Sequence, residues 1–242
     1  MSLSKNQLKL ITSLRQKKYR VKYNLFIVEG TKVVNEFLNS NIELEHLYYT
    51  ENSTFNNVEN RTLISASELK KVSSLKTPNN VLAIFKIPQF KIQENDGLEL
   101  VLDAINDPGN LGTIIRLCDW FGIKQLVCSL DTVDCFNQKV VQASMGSLTR
   151  INILYTNLEL YLSKSKKPKF ASLMDGVNVY KSNLPQNAIL VMGNEANGIS
   201  NKILDLLDNT VSIPRFGDLQ QTESLNVATA TAILLSEFKR GS

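Results

Sequence analysis

An α/β fold is predicted by two features of the sequence. Short, almost wholly apolar runs alternate with helically spaced segments, and the alternation restarts after a polar stretch, QFKIQENDG. Strands apolar along their whole length argue for a parallel sheet covered on both faces. With 242 residues and 43% hydrophobic content, the chain has material for one or two ordinary cores. The expected division is a first domain over 1–88, a linker over 89–97 and a second domain over 98–242.

The elements follow in order. SKNQLKLITSLRQKKYR spaces Leu10, Ile11 and Leu14 helically and leaves a basic face. NLFIVEG reads as a strand closed by Gly30, followed by a helix from Thr31 to Ser40. LEHLYYT and RTLIS are further strands, and Ser65 with Glu68 makes a capping box opening the next helix. NVLAIFKIP completes the first unit, because Pro88 cannot extend a central strand. Beyond the linker, LELVLDAI leads into the helix that bears Arg116, then to QLVCSL. A helix over Gln138–Ala143, the strand INILYT, a short helix, KFASLM and the very apolar AILVM come next. A helix near Lys202–Leu207, the strand TVSIP and a long helix from Leu225 to Lys239 end the chain.

Charge and rare residues narrow the function. The net charge of +4 is modest, but Lys5, Lys9, Arg15, Lys17, Lys18, Arg20 and Lys22 precede the first acid, Glu29. Such a block suits a polyanion, whose counterions are released as phosphates are neutralised; a solvated helical face explains it equally well. Cys118, Cys128 and Cys135 lack the spacing of a zinc or redox site and read as reduced thiols. His46, the only histidine, lies in a strand, which disfavours histidine-centred catalysis. No apolar run approaches the ~20 residues of a membrane span, and the basic N-terminus lacks a secretion signal's apolar core. A soluble, cytoplasmic protein without a metal is expected.

Ligands of open parallel sheets bind outside the carboxyl ends of the strands, and three unusual loops fall there. In DAINDPGNLGTIIRLCDW, Asn110 is placed to cap the helix, and Arg116 either grips a phosphate or simply pairs with Asp119. In AILVMGNEANGIS, Gly193 would let a ligand approach the backbone, with Glu195 at mid-loop. That spacing is neither a P-loop nor a dinucleotide fingerprint; an ordinary glycine turn is the alternative. In SIPRFGDLQQTESLNVATATAILL, Ser224 is the expected N-cap of an Ala/Thr-rich helix.

Together NDPGNLGTIIR, VMGNEANGIS and IPRFGDLQQTESLNVA resemble the three motifs of the SpoU-type, TrmH-like branch of the SPOUT superfamily, the knotted RNA ribose 2′-O-methyltransferases. FIVEGTKVVNEFL and TPNNVLAIF are similar to the L30e-like substrate-binding domain that often precedes this catalytic domain. The resemblance implies a C-terminal deep trefoil knot, contrary to the usual rule against threaded chains. It also implies S-adenosylmethionine held by backbone around Gly193, Ile213 and Leu225, and a homodimer with the site near the subunit interface. The family's functional side chains fall on Asn110, Arg116, Glu195, Ser224 and Asn226. One departure is the loop Arg215–Glu223, longer than is common.

Methyl transfer from a sulfonium releases a neutral thioether, so the difficulty lies in aligning a weakly acidic 2′-hydroxyl, a matter of positioning and electrostatics. The family implies that Arg116 activates this hydroxyl. A guanidinium cation, with its fixed fork of donors, is better suited to clamping the adjacent phosphate than to acting as a base. Asn110, Ser224 and Asn226 would orient the arginine and ribose, and Glu195 would fix the loop or favour the sulfonium. The basic N-terminal residues Lys5, Lys9, Arg15, Lys17, Lys18 and Arg20 would hold RNA, with Tyr19, Tyr23, Tyr48 and Tyr49 as candidates for base stacking, the last two better suited to a core. Ribosomal RNA is the expected substrate. The alternatives are a transfer RNA ribose methylase, a base-nitrogen methylase of related fold, or a non-catalytic ribosome-assembly factor that need not bind the cofactor.

Overall fold

The computed structural model describes residues 3–50, 55, 57–92, 96–218 and 224–240. In chain order its elements are α1 (Lys5–Ser13), α2 (Lys17–Tyr23), β1 (Leu25–Glu29), α3 (Thr31–Leu38), β2 (Leu44–Tyr49), β3 (Arg61–Leu63), α4 (Ala66–Val72) and β4 (Val81–Lys86). There follow β5 (Glu99–Leu102), α5 (Pro108–Trp120), β6 (Gln125–Cys128), α6 (Gln138–Ser144), β7 (Asn152–Tyr155), α7 (Leu158–Lys164) and β8 (Lys169–Asn178). The last are β9 (Ile189–Met192), α8 (Asn201–Leu204), β10 (Asn209–Ser212) and α9 (Val227–Lys239).

Two compact units result: Met1–Gln89 with Asp134–Thr149, and Phe90–Val133 with Arg150–Ser242. The first is built on a mixed sheet of order β1-β4-β2-β3, antiparallel except for the parallel β2–β3 pair. All five β1 residues are buried because both faces are covered. Leu25 and Ile27 join Ile11, Leu14, Leu69 and Val72 from α1, its C-cap and α4 in one cluster. Phe26, pointing the other way, meets Phe37 of α3 edge-on and packs at a tilt against Phe136, ring centroids 4.7 Å apart. That last contact, and the packing of α6 on β1, draw residues 134–149 into this unit. An undivided 98–242 domain was expected; the segment departs from it because the second face of β1 needs an apolar cover.

The N-terminal helical stretch is also broken in two. Leu14 ends α1, and the Arg20 guanidinium donates to the carbonyls of Leu14 and Arg15, both at 3.0 Å, satisfying groups that a continuous helix would have bonded internally. The capping box at Ser65 and Glu68 forms as expected, with both reciprocal bonds present. A second, Ser4 with Gln7, opens α1.

The second unit carries a wholly parallel sheet of order β10-β8-β9-β5-β6-β7. One face, through Val101, Val127, Ile189 and Val191, packs on Leu158 and Leu162 of α7 and on Ile203 of α8. Helices α5 and α9 pack on each other, and Phe238 of α9 meets Phe170 of β8 edge-on at 5.3 Å. At the amino edge, buried Glu99 pairs with Lys167 at 2.7 Å and accepts from the Tyr161 hydroxyl. Burial and this carboxylate push that phenol well above its usual range. This edge is tied by buried polar groups; the opposite edge carries the loops of interest.

Candidate active site

The parallel strands β5 and β9 deliver Leu102 and Met192 side by side, so the loops that follow leave the sheet at the same edge. After β5 comes Asp103, buried, whose carboxylate accepts from the Ser200 amide at 2.8 Å. Ala104 then adopts φ 57°, a left-handed conformation that costs a non-glycine residue roughly 1–2 kcal/mol. It is held there from both sides: its amide donates to Ser129 Oγ at 2.9 Å, and its carbonyl accepts from Asn194 Nδ2 at 2.6 Å. Asp107, not Asn110, caps α5, accepting from the Asn110 amide at 2.8 Å. Asn110 lies inside the first turn, which frees its side chain.

The β9 loop closes on itself. Asn194 and Gly198 exchange backbone hydrogen bonds at 2.9 and 2.8 Å, while Asn194 Oδ1 accepts from the amides of Ala196 and Asn197. Gly193 was expected to admit a ligand to the backbone. A Cβ there would stand 2.2 Å from the Gly198 carbonyl carbon, so the loop's own return already requires the glycine. Gly198 supplies the reversal at φ +68°.

Ahead of α9, Asn226 is the N-cap, its Oδ1 accepting from the amides of Ala228 and Thr229 at 3.0 and 3.2 Å. Ser224, expected in that role, lies two residues upstream and is exposed. With Oδ1 committed to the helix, Asn226 Nδ2 donates to Asn110 Oδ1 at 2.9 Å. Asn110 Nδ2 must then face the other way, and it donates to Glu195 Oε1 at 2.6 Å. A directional chain therefore runs from the α9 N-terminus through two amides to a carboxylate, joining three loops far apart in sequence.

Arg116 is not in that chain. It is exposed on α5, and among the described residues it makes no hydrogen bond or ion pair. The simple pairing with Asp119 is overturned, because Arg150 binds that carboxylate through Nε at 2.9 Å and Nη2 at 2.8 Å. Leu225 is 49% exposed beside Asn226, and Ile213 is partly open where β10 ends. Of the loop Arg215–Glu223, residues 219–223 lie outside the described residues.

Other sequence candidates separate cleanly. Lys5, Lys9, Lys17 and Lys18 are exposed, and exposed Arg15 donates to the carbonyls of Val72 and Ser73. Arg20 is corrected: it is 2% exposed, donates to Asp134 Oδ2 through Nε at 2.9 Å, and cannot reach RNA. Tyr48 and Tyr49 are core residues. His46 rests 2.9 Å from Thr62 Oγ1, and burial holds its pKa below 6.5. Burial drives the Cys118 thiol far above its usual range, away from nucleophilic use. No cluster of His, Cys, Asp or Glu suited to a metal occurs among the described residues, and none of their helices is long and apolar enough to cross a membrane. Asp103, Ala104 and Asn194 went unnoticed in the sequence. For Asn194 a signal existed, since an asparagine two residues before a loop amide is the setting of an Asx-turn.

The SpoU rRNA Methylase family model matches residues 97–236, and the MRM3-like substrate binding domain matches residues 5–83. The chain belongs to the SpoU rRNA methylase family. This SpoU methylase is 33% identical over 241 residues to the 23S rRNA (guanosine(2553)-2'-O)-methyltransferase RlmP of Bacillus subtilis (strain 168), with 93% of each chain covered. A solved TrmH-family structure from Porphyromonas gingivalis superposes with a TM-score of 0.89 at 37% identity over 99% of both chains. The AdoMet-bound rRNA methyltransferase of Sinorhizobium meliloti gives 0.87 at 27% identity, covering 99% of this chain and 97% of that one. The family recognised from the three loops, and an RNA methylase as the enzyme class, are both borne out.

Proposed function

We propose that this SpoU methylase transfers the methyl group of S-adenosylmethionine to a ribose 2′-hydroxyl of ribosomal RNA at the loop cluster of Asn110, Glu195 and Asn226. The bonded chain through those residues carries the reading: it gathers the three recognised motifs at the ligand-binding edge of a parallel sheet. Substrate class and cofactor follow the relatives, which are named as rRNA 2′-O-methyltransferases or were solved with AdoMet.

When bound, the cofactor supplies an electrophilic methyl group and leaves as a neutral thioether. Ile213 and Leu225 fit it as open apolar surface for the nucleoside, next to loops whose backbone turns are already fixed. Glu195, held by Asn110, places a carboxylate where a sulfonium gains from a negative neighbour. Arg116 keeps its guanidinium donors for the RNA phosphate beside the target ribose, lowering the cost of negative charge on the 2′-oxygen while the hydroxyl proton passes to water. Ser224, exposed next to this cluster, orients the ribose by hydrogen bonding.

The C-terminal part of the chain forms a deep trefoil knot, a reading supported by the bond from Asn226 to Asn110, which ties the start of α9 to α5. Two copies form a homodimer around the site. The sheet unit within residues 1–88 is an L30e-like RNA-binding domain joined by the 89–97 linker to the methylase domain, and the protein works in the cytoplasm.

The test is Arg116→Ala. Because the side chain is exposed and unpaired among the described residues, the variant should fold and bind S-adenosylmethionine by calorimetry, while methyl transfer to ribosomal RNA falls by about 10²–10³. Turnover near the wild-type rate would remove Arg116 from the mechanism, and failure of the wild type to bind the cofactor would refute the enzyme reading.

A further inference from the structure

Helix α2, with sequence KKYRVKY, presents an arrangement that the loop cluster does not use. The rings of Tyr19 and Tyr23, one helical turn apart, lie 12° from parallel with centroids 6.2 Å apart. Lys18 Nζ sits 4.9 Å from the Tyr19 ring centroid and Lys22 Nζ 5.4 Å from that of Tyr23. Tyr23 is 42% exposed and Val21, on the same short helix, 69%. Arg20 alone turns inward, and its bond to Asp134 neutralises the acid packed beneath the helix. The outward side is left with cations and aromatic surface.

Each part has an ordinary explanation. Lysines solvate a helix, and paired tyrosines are often a core remnant. The combination does not fit those explanations. A core remnant would not keep Tyr23 and Val21 open, and a merely solvating face would not hold ammonium groups against ring faces. Parallel rings flanked by cations are instead what single-stranded nucleic acid needs: a π surface for an unstacked base, with positive charge for the phosphates on either side.

We propose that α2 is a stacking platform for a single-stranded stretch of the RNA substrate, in which Tyr23 takes a base and Lys18 and Lys22 meet the flanking phosphates. The partner is RNA rather than an acidic protein because the inference rests on the methylase reading above. It adds to that reading a contact that selects unpaired over duplex RNA. A rigid side chain with few rotamers loses little entropy on stacking, and the helix fixes it in advance.

The experiment measures binding of the full-length protein to a short fluorescent oligouridylate and to an RNA duplex of equal length. Tyr23→Ala should weaken single-strand binding by about tenfold or more and leave the duplex almost unaffected. Tyr23→Phe, which keeps the ring, should retain wild-type affinity. Lys18→Ala and Lys22→Ala should each flatten the salt dependence by about 0.7 in log–log slope, whereas Tyr23→Ala should not change it. If Tyr23→Ala lowers the thermal midpoint, Tyr23→Leu replaces it, with comparable apolar bulk and no π face, and the same weakening is expected. Wild-type affinity in Tyr23→Leu, or equal losses for strand and duplex, would overturn the platform. Loss of wild-type methyl transfer with the strand preference intact would instead take down the methylase reading alone.

Discussion

Asn226 shows how one side chain can serve stability and chemistry through different atoms. Its Oδ1 caps α9 and its Nδ2 sets the orientation of Asn110, which in turn holds Glu195. The two functions separate by substitution. Asn226→Asp keeps an excellent cap but turns the donor facing Asn110 Oδ1 into an acceptor. Asn110 must then flip its amide, and Glu195 loses its donor. The expected outcome is an unchanged thermal midpoint with a large loss of methyl transfer. Asn226→Ala should lose the activity and about 1 kcal/mol of stability besides, read by denaturant titration. The residue types of this cluster were legible in the sequence as motif positions; the direction of its hydrogen bonds was not. Ser224 looked the better cap because serine before an apolar run is the stronger local signal, and only the observed start of the helix at Val227 excludes it.

At the scale of elements, the apolar runs of β1, β4, β5, β6 and β9 announced themselves, because strands covered on both faces have little room for polar residues. The break between α1 and α2 did not, since Leu10, Ile11 and Leu14 keep helical spacing up to it and the cause, Arg20, lies beyond it. The β9 loop was half legible. Its glycines are visible in the sequence, but the reason for Gly193 is not: the space a Cβ would need is filled by the Gly198–Ile199 peptide. Gly193→Ala should therefore act on the loop itself. Backbone atoms at 2.2–2.6 Å cannot yield as a flexible side chain would, so the loop must open, carrying Glu195 away from Asn110. Weaker S-adenosylmethionine binding together with a lower melting temperature is expected. Asn194→Ala should act in the same direction more mildly, because it strips the donor to Ala104 and leaves that residue's left-handed conformation supported only by Ser129. A wild-type cofactor affinity in Gly193→Ala would show that the closed loop is not what binds.

For the whole molecule, stability is linked to pH through His46 in β2. Burial holds its folded pKa below 6.5, with the opposing pull of Glu45 the smaller effect. As pH falls through 6.5 the unfolded chain therefore takes up a proton before the folded one does, and stability declines until the folded imidazole also titrates. Denaturant unfolding above and below pH 6.5 should show this decline, and His46→Gln should reduce it.

The first unit is completed by residues 134–149, so its integrity depends on a segment from the far side of β5, α5 and β6. Nothing local in Gln138–Ala143 indicates which surface that helix covers; the partner face of β1 is set by long-range packing. The Arg20–Asp134 pair secures the start of the segment, with side chains 3% and 16% exposed. Removing one partner of so enclosed a pair leaves an uncompensated charge, at a cost of about 3–5 kcal/mol, whereas replacing both by apolar residues can be close to neutral. Arg20→Met should accordingly destabilise strongly, Asp134→Leu should do likewise, and the double variant should recover much of the loss. Asp134→Leu leaves every exposed lysine of α1 and α2 in place. Its effect should therefore appear as an earlier unfolding transition and faster proteolysis of 134–149, with RNA affinity unchanged while the protein stays folded. A double variant no more stable than the sum of its parts would mean that the two side chains are not energetically coupled and that the apolar contacts of Phe136 alone fasten the segment.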